Sequence, residues 1–302
     1  MTPTEVDVFL EHLRERDLAA DTIAHYQAAL REFFDWFTAT TKQTEVVAVT
    51  SLDVRQWRDQ LKSNQKAGTV NNKLGKLSSF LEWCVKAKLI QSNPAENIKR
   101  SKINLTAPKW LTRQETHAIL RMAEQQFQMA QMKDLDHSLT IAARTLAMVR
   151  LMLNAGLRVS EVCDLKISDV TLGERSGSVL VRYGKGSKQR GIPLNSDARK
   201  AILTWLKVRG NEGEYLFIGP DKERMKRQVV TWHIGQLGKK VGLELNPHRL
   251  RHTFGKNLVD SGVSLDRVAM LLGHSNLTTT AVYTLPGEGD LQRAVDKISW
   301  ED

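Results

Sequence analysis

The chain has 302 residues, of which 41% are hydrophobic and 26% charged; that is enough apolar content for a true core and more chain than one ordinary domain of ~100–200 residues uses. Lys and Arg total 44 against 34 Asp and Glu, a net charge of +10, which favours a polyanionic partner, nucleic acid before a membrane surface, and excludes an acidic solvating chain. Two cysteines, Cys84 and Cys163, exclude a multi-bridge disulfide framework and a four-cysteine zinc site, so an intracellular, reducing setting is expected.

No basic segment leads into an apolar run near Met1 and no stretch is apolar over ~18 residues, so neither secretion nor a membrane partner is expected. In chain order, Val6, Phe9, Leu10 and Leu13 fall at helical spacing. Asp21 is a candidate cap for a second helix bearing Ile23, Ala24, Leu30, Phe33, Phe34 and Phe37. Ser51 opens a third with Val54, Trp57 and Leu61, and Gly68-Thr69 a fourth with Val70, Leu74, Leu77, Leu81, Trp83 and Val85. Ser92-Asn93-Pro94 ends this four-helix unit, residues 1–96, and the basic, polar residues 97–109 read as a linker to a second domain, 110–302.

The second half carries +8 of the net charge. After Trp110-Leu111-Thr112 helical periodicity returns; Gln125–Ser138 is polar and reads as a long loop, while Ser138–Asn154 is apolar all round and hence a buried helix broken at Gly156. Val179, Val181 and Tyr183 then alternate with Leu180, Arg182 and Gly184, and Ile192 and Leu194 follow a Gly-Lys-Gly-Ser-Lys turn: a β-hairpin with a basic tip. Helical patterns resume at Asp197–Val208, Lys226–Val241, Pro247–Ser261 and Leu265–Leu272. The expected class is mainly α with a small antiparallel β-sheet.

Four segments carry candidate chemistry. Arg158 and Glu161 share a helical face, which fits a surface ion pair as well as an anion site. Lys185, Lys188 and Arg190 sit on or beside the hairpin tip, cations placed to reach into a groove, and Lys188 and Arg190 are expected to contact DNA; the strand–GxxxxGK[ST]–helix pattern of a phosphate loop is absent, and a solvated hairpin end fits equally. His248 and Arg251, at i and i+3 after a helix-starting Pro247, can face one ligand. His248 and His252 also have zinc spacing, but no Glu intervenes and neighbouring arginines oppose a dication, so no metal is expected. Leu272-Gly273-His274 is followed nine residues on by Tyr283, which by itself fits a core phenol or a nucleophile. Two arginines and a lysine suit a phosphodiester gaining charge in a pentavalent transition state, and a phenol can attack phosphorus.

This ordered set resembles the tyrosine recombinase (phage integrase) family, in particular its two-domain Xer-like members, over almost the whole chain. The resemblance rests on Gly-Leu-Arg-x-Ser-Glu at Arg158 and Glu161, Gly-Lys-Gly-x-Lys at Lys185, His-x-Leu-Arg-His at His248 and Arg251, Leu-Gly-His at His274, and Tyr283. It implies an N-terminal SAM-like core-binding domain and a catalytic domain closing as a C-shaped clamp on double-stranded DNA core sites, with no arm-site domain and no cofactor. By the same resemblance Arg158, Arg251 and His274 bind nonbridging oxygens, with Glu161 in support. His248 assists the nucleophile's proton transfer, Lys185 protonates the leaving 5′ oxygen, and Tyr283 forms a 3′-phosphotyrosine that a second strand reseals through a Holliday junction. Lys226, Arg227 and Gln228, before Trp232-His233, look like its major-groove reading segment. It further implies a homo-tetramer on two DNA sites with a C-terminal helix (Leu291, Val295, Ile298) docked in trans, in the bacterial cytoplasm at the nucleoid; a second recombinase or accessory protein stays an open partner. A type IB topoisomerase-like nicking-closing enzyme and a catalytically silent DNA-binding regulator are the alternatives.

Overall fold

The computed structural model describes residues 2–102, 108–133, 136–182, 189–274 and 276–285. Its contacts divide the chain into two compact units, Met1–Asn104 and Leu105–Asp302.

The first unit is the four expected helices: α1 (Thr4–Glu15), α2 (Ala20–Thr41), α3 (Ser51–Asn64) and α4 (Ala67–Lys86). Their apolar stripes meet in one core centred on Phe33, Phe34, Phe37, Trp57 and Phe80, all essentially buried. Edge-to-face pairs such as Phe33–Trp57, centroids 5.1 Å apart, order these rings beyond simple burial. Two local details differ from expectation. Asp21 lies inside the first turn of α2, where its charge suits the helix N-terminus, while the cap position is Ala19 and uses no side chain. The segment expected to begin a linker is tied to this unit: Asn71 both donates to and accepts from the Ser101 backbone at 2.8 Å, and Arg58 donates to the Lys99 carbonyl at 3.3 Å.

The second unit opens with α5 (Arg113–Met132), started by a Thr112–Glu115 capping box, and α6 (Asp136–Ala155). The polar stretch expected as a loop is therefore mostly helix: α5 runs to Met132, half in contact with α6 and half in water, and a solvated face needs no apolar residues. α6 is buried along most of its length and forms the spine against which α8 packs. α7 (Val159–Asp164) follows, then β1 (Val170–Leu172), β2 (Gly177–Val181) and β3 (Arg190–Pro193), an antiparallel sheet in that order, with Val181 opposite Arg190 at the hairpin base. β1 escaped sequence reading because three residues are too few to reveal a period. The remaining helices are α8 (Ser196–Arg209), α9 (Arg227–Lys240), α10 (Pro247–Asp260), α11 (Leu265–Leu272) and the short α12 (Thr278–Ala281), ending in a 3₁₀ turn, Val282–Thr284. Among the described residues no helix is long and apolar enough to cross a membrane.

Candidate active site

The site is organised by the end of α11. Gly273 takes a left-handed conformation (φ 65°), which a glycine adopts without strain. The His274 N–H then returns to the Ala269 carbonyl (2.9 Å) and the Gly273 N–H to the Met270 carbonyl (3.1 Å), a Schellman closure. Three successive carbonyls remain, at the negative end of the helix dipole. Each takes one guanidinium: Arg190 donates to Leu271 (3.1 Å), Arg251 to Leu272 (2.6 Å) and Arg158 to Gly273 (2.8 Å). A Cβ on Gly273 would stand 2.7 Å from the Arg190 guanidinium, so close approach as well as the turn demands glycine here.

Glu161 joins the three cations. Only 5% exposed, it accepts from Arg158 at 2.7 Å and from both terminal nitrogens of Arg190 at 2.9 and 2.8 Å, and lies 3.9 Å from Arg251. It also reaches back to the Arg158 backbone N–H (2.8 Å), fixing the first turn of α7. Burial would push its carboxyl up, but the Arg190 hydrogen bonds and charge, aided by Arg158, outweigh this and hold it below the usual carboxylate range. Arg251, 4% exposed, also donates to the Gly156 carbonyl at 2.6 Å. Burial and the nearby Arg158 lower its pKa to about 10, which leaves it charged at neutral pH. Three guanidinium groups around one carboxylate leave an excess of positive charge, the electrostatic requirement of an oxyanion site.

Tyr283 is 1% exposed and packs on α10, where Gly255 makes room: a Cβ there would lie 2.7 Å from the phenol ring. Its hydroxyl is 3.0 Å from His252 Nδ1. The His274 ring lies parallel to that of Tyr283, centroids 6.4 Å apart, and its Nδ1 is 2.9 Å from Thr280 Oγ1, which is fully buried. Burial, then Arg251, lowers His274 to about 4; burial, then His248 and Arg251, does the same to His252. Burial raises the Tyr283 phenol despite the arginines. His248 is exposed in the first turn of α10, its pKa lowered by partial burial and then by Arg251 and Arg158.

The structure thus brings Arg158, Glu161, Arg251, His248, His274 and Tyr283 into one neighbourhood. Arg190, expected to face DNA, is turned inward onto Glu161. Lys185 and Lys188, and the expected C-terminal helix, lie outside the described residues. Lys226, Arg227 and Gln228 are exposed at the start of α9, away from this cluster in sequence and on another element. Burial raises Cys84 to about 12 and Cys163 to about 11, so both thiols are inert core residues. Sequence reading missed His252 as a partner of the tyrosine: its spacing from His248 was visible, but the residue it meets arrives 31 positions later.

Comparison with known proteins adds an independent line. Residues 109–288 match the phage integrase family and residues 6–88 the phage integrase N-terminal SAM-like domain. The tyrosine recombinase XerC of Psychromonas ingrahamii is 31% identical over 290 residues, covering 92% of this chain and 90% of the relative. XerC of Escherichia coli O139:H28 is 32% identical over 291 residues, covering 93% and 91%. In overall fold the chain is similar to XerH site-specific recombinase bound to difH substrate (TM-score 0.69, 22% identity, 95% of this chain and 82% of that one). It is also similar to a lambda integrase dimer bound to a COC′ core site (TM-score 0.73, 18% identity, 100% and 99%).

Proposed function

The chain belongs to the phage integrase family of tyrosine recombinases, and from that premise we propose that it cleaves and rejoins double-stranded DNA at core sites through a 3′-phosphotyrosine on Tyr283. The observation that carries this reading is the convergence of Arg158, Arg190 and Arg251 on the end of α11, one residue from His274 and beside Tyr283.

In the proposed reaction Arg158 and Arg251 hold the nonbridging oxygens of the scissile phosphate, with His274 beside them, and offset the charge that grows as phosphorus becomes five-coordinate. Both keep fixed positions because the α11 carbonyls and Glu161 already orient their guanidinium planes. The Tyr283 oxygen attacks phosphorus, and Lys185 protonates the departing 5′ oxygen. A 5′-hydroxyl from a second duplex reverses the step, so the bond is conserved without ATP, cofactor or metal. Lys226, Arg227 and Gln228 at the exposed start of α9 read base edges in the major groove, with Lys188 on the backbone. We assign the working form as a homo-tetramer on two sites in the bacterial cytoplasm, its C-terminal segment exchanged in trans.

Tyr283→Phe removes the attacking oxygen and leaves the ring packed on Gly255. On a nicked suicide duplex it is expected to bind DNA as the parent does and to give no covalent adduct on a denaturing gel. An adduct from this variant would move the nucleophile elsewhere.

A further inference from the structure

Catalysis by Tyr283 needs a destination for its phenol proton, and burial makes that proton harder to lose in place. Among the described residues, the side chain hydrogen-bonded to the phenol oxygen is His252, with Nδ1 at 3.0 Å, within the reach required of a general base. The two histidines implied by the family resemblance are differently engaged. His248 is exposed one helical turn away, its ring 6.5 Å from that of His252. His274 meets the tyrosine face to face, and its Nδ1 is at Thr280 Oγ1.

We propose that His252, rather than His248, is the base that takes the Tyr283 proton as the phenol oxygen attacks phosphorus; this rests on Tyr283 being the nucleophile. The proton passes from Oη to Nδ1, the oxygen–phosphorus bond forms, the phosphorus–O5′ bond breaks, and O5′ takes a proton from Lys185. On resealing, the 5′-hydroxyl gives its proton to the lysine, and His252 Nδ1–H returns its proton to the departing phenolate. With the ring neutral and Nε2 protonated, Nδ1 accepts the phenol hydrogen, ready for this transfer.

The surroundings make the base responsive to DNA. The groups facing His252 are His248 and Arg251 on its own helix, Tyr283 on the 3₁₀ turn and His274 beyond α11. Burial depresses the imidazole most, followed by His248 and then Arg251, and a phosphodiester seated on Arg251 neutralises the arginine's share. To that extent the base strengthens when substrate arrives. Gly255, one turn along α10, holds open the space for the ring whose hydroxyl His252 engages.

The test pairs His252→Asn, whose side-chain oxygen accepts a hydrogen bond near the Nδ1 position but cannot carry the proton away, with fluorotyrosine at position 283, whose phenol ionises more readily. The full chain is assayed in single turnover on nicked suicide DNA, with thermal melting and DNA binding measured alongside. His252→Asn is expected to fold, bind DNA, and cleave about 100-fold or more slowly, the usual contribution of a general base. Fluorotyrosine is expected to restore most of that loss, the recovered rate rising with pH as phenolate forms, and His248→Asn to show no such rescue. Cleavage by His252→Asn at the parent rate, or an equal loss with tyrosine and fluorotyrosine, overturns the assignment. If His252→Asn does not fold, fluorotyrosine in the otherwise unaltered chain decides, together with His248→Asn: an acid limb of cleavage that stays in place with fluorotyrosine and survives in His248→Asn supports the proposal, and one that moves to lower pH with the more acidic phenol, or is lost in His248→Asn, overturns it. An adduct formed by Tyr283→Phe would instead overturn the nucleophile itself, a separate outcome.

Discussion

Glu161 shows how one side chain organises a site. Burying a lone carboxylate is costly, and here Arg158 and Arg190 offset that cost while Glu161 cancels part of the repulsion among three neighbouring cations. The histidines carry the opposite kind of strain. His252 and His274 are held near 4 against an ordinary 6.5, so between those values the unfolded chain binds more protons than the folded one. Folding stability is accordingly expected to fall as pH drops from about 6.5 toward about 4, and the urea midpoint measured across that window checks it. His274→Asn should flatten the slope by up to about one proton; an unchanged slope would mean the imidazole charges freely in the folded state. Arg158 and Glu161 were legible in the sequence as a pair because their i, i+3 spacing brings them together, although the structure joins them through the N-cap of α7, where Glu161 reaches back to the Arg158 N–H, and not on one helical face. The inward turn of Arg190 was not legible, since it depends on α7 and α11 meeting the sheet, and a basic residue beside a hairpin tip carries no sign of that.

At the level of elements, α10 and α11 do the positioning. α10 presents Arg251 to the α11 carbonyls, His252 to the phenol, and Gly255 to the phenol ring, all within two turns. Gly255→Ala places a methyl where the ring now lies. It is expected to cost about 1–3 kcal/mol by overpacking and to slow adduct formation more than it weakens DNA binding, measured by urea melts and suicide-substrate kinetics. Equal loss of binding and cleavage would argue that the ring's berth has no special role. Helix boundaries in this region were readable because Pro247 and the Gly273 turn punctuate them. α5 was misread where its polar face ran on past the apolar positions, since solvent exposure rather than chain geometry sets composition there.

Across the whole molecule, a first unit with nearly balanced charge is joined to a second unit that holds the site and most of the positive excess. The proposed exchange of C-terminal segments between subunits predicts that truncation after Pro286 leaves single-site binding intact and abolishes cooperative filling of paired sites and recombination. Normal cooperativity in a gel-shift titration would place the segment in cis. The central claim, an arginine-held phosphate attacked by Tyr283, is tested most directly by trapping the covalent complex in excess EDTA without ATP and locating the nucleotide remnant by mass spectrometry. The account predicts a 3′-phosphate linked to the peptide containing Tyr283 in undiminished yield; a remnant on another residue, or no adduct until a divalent metal is restored, would contradict it.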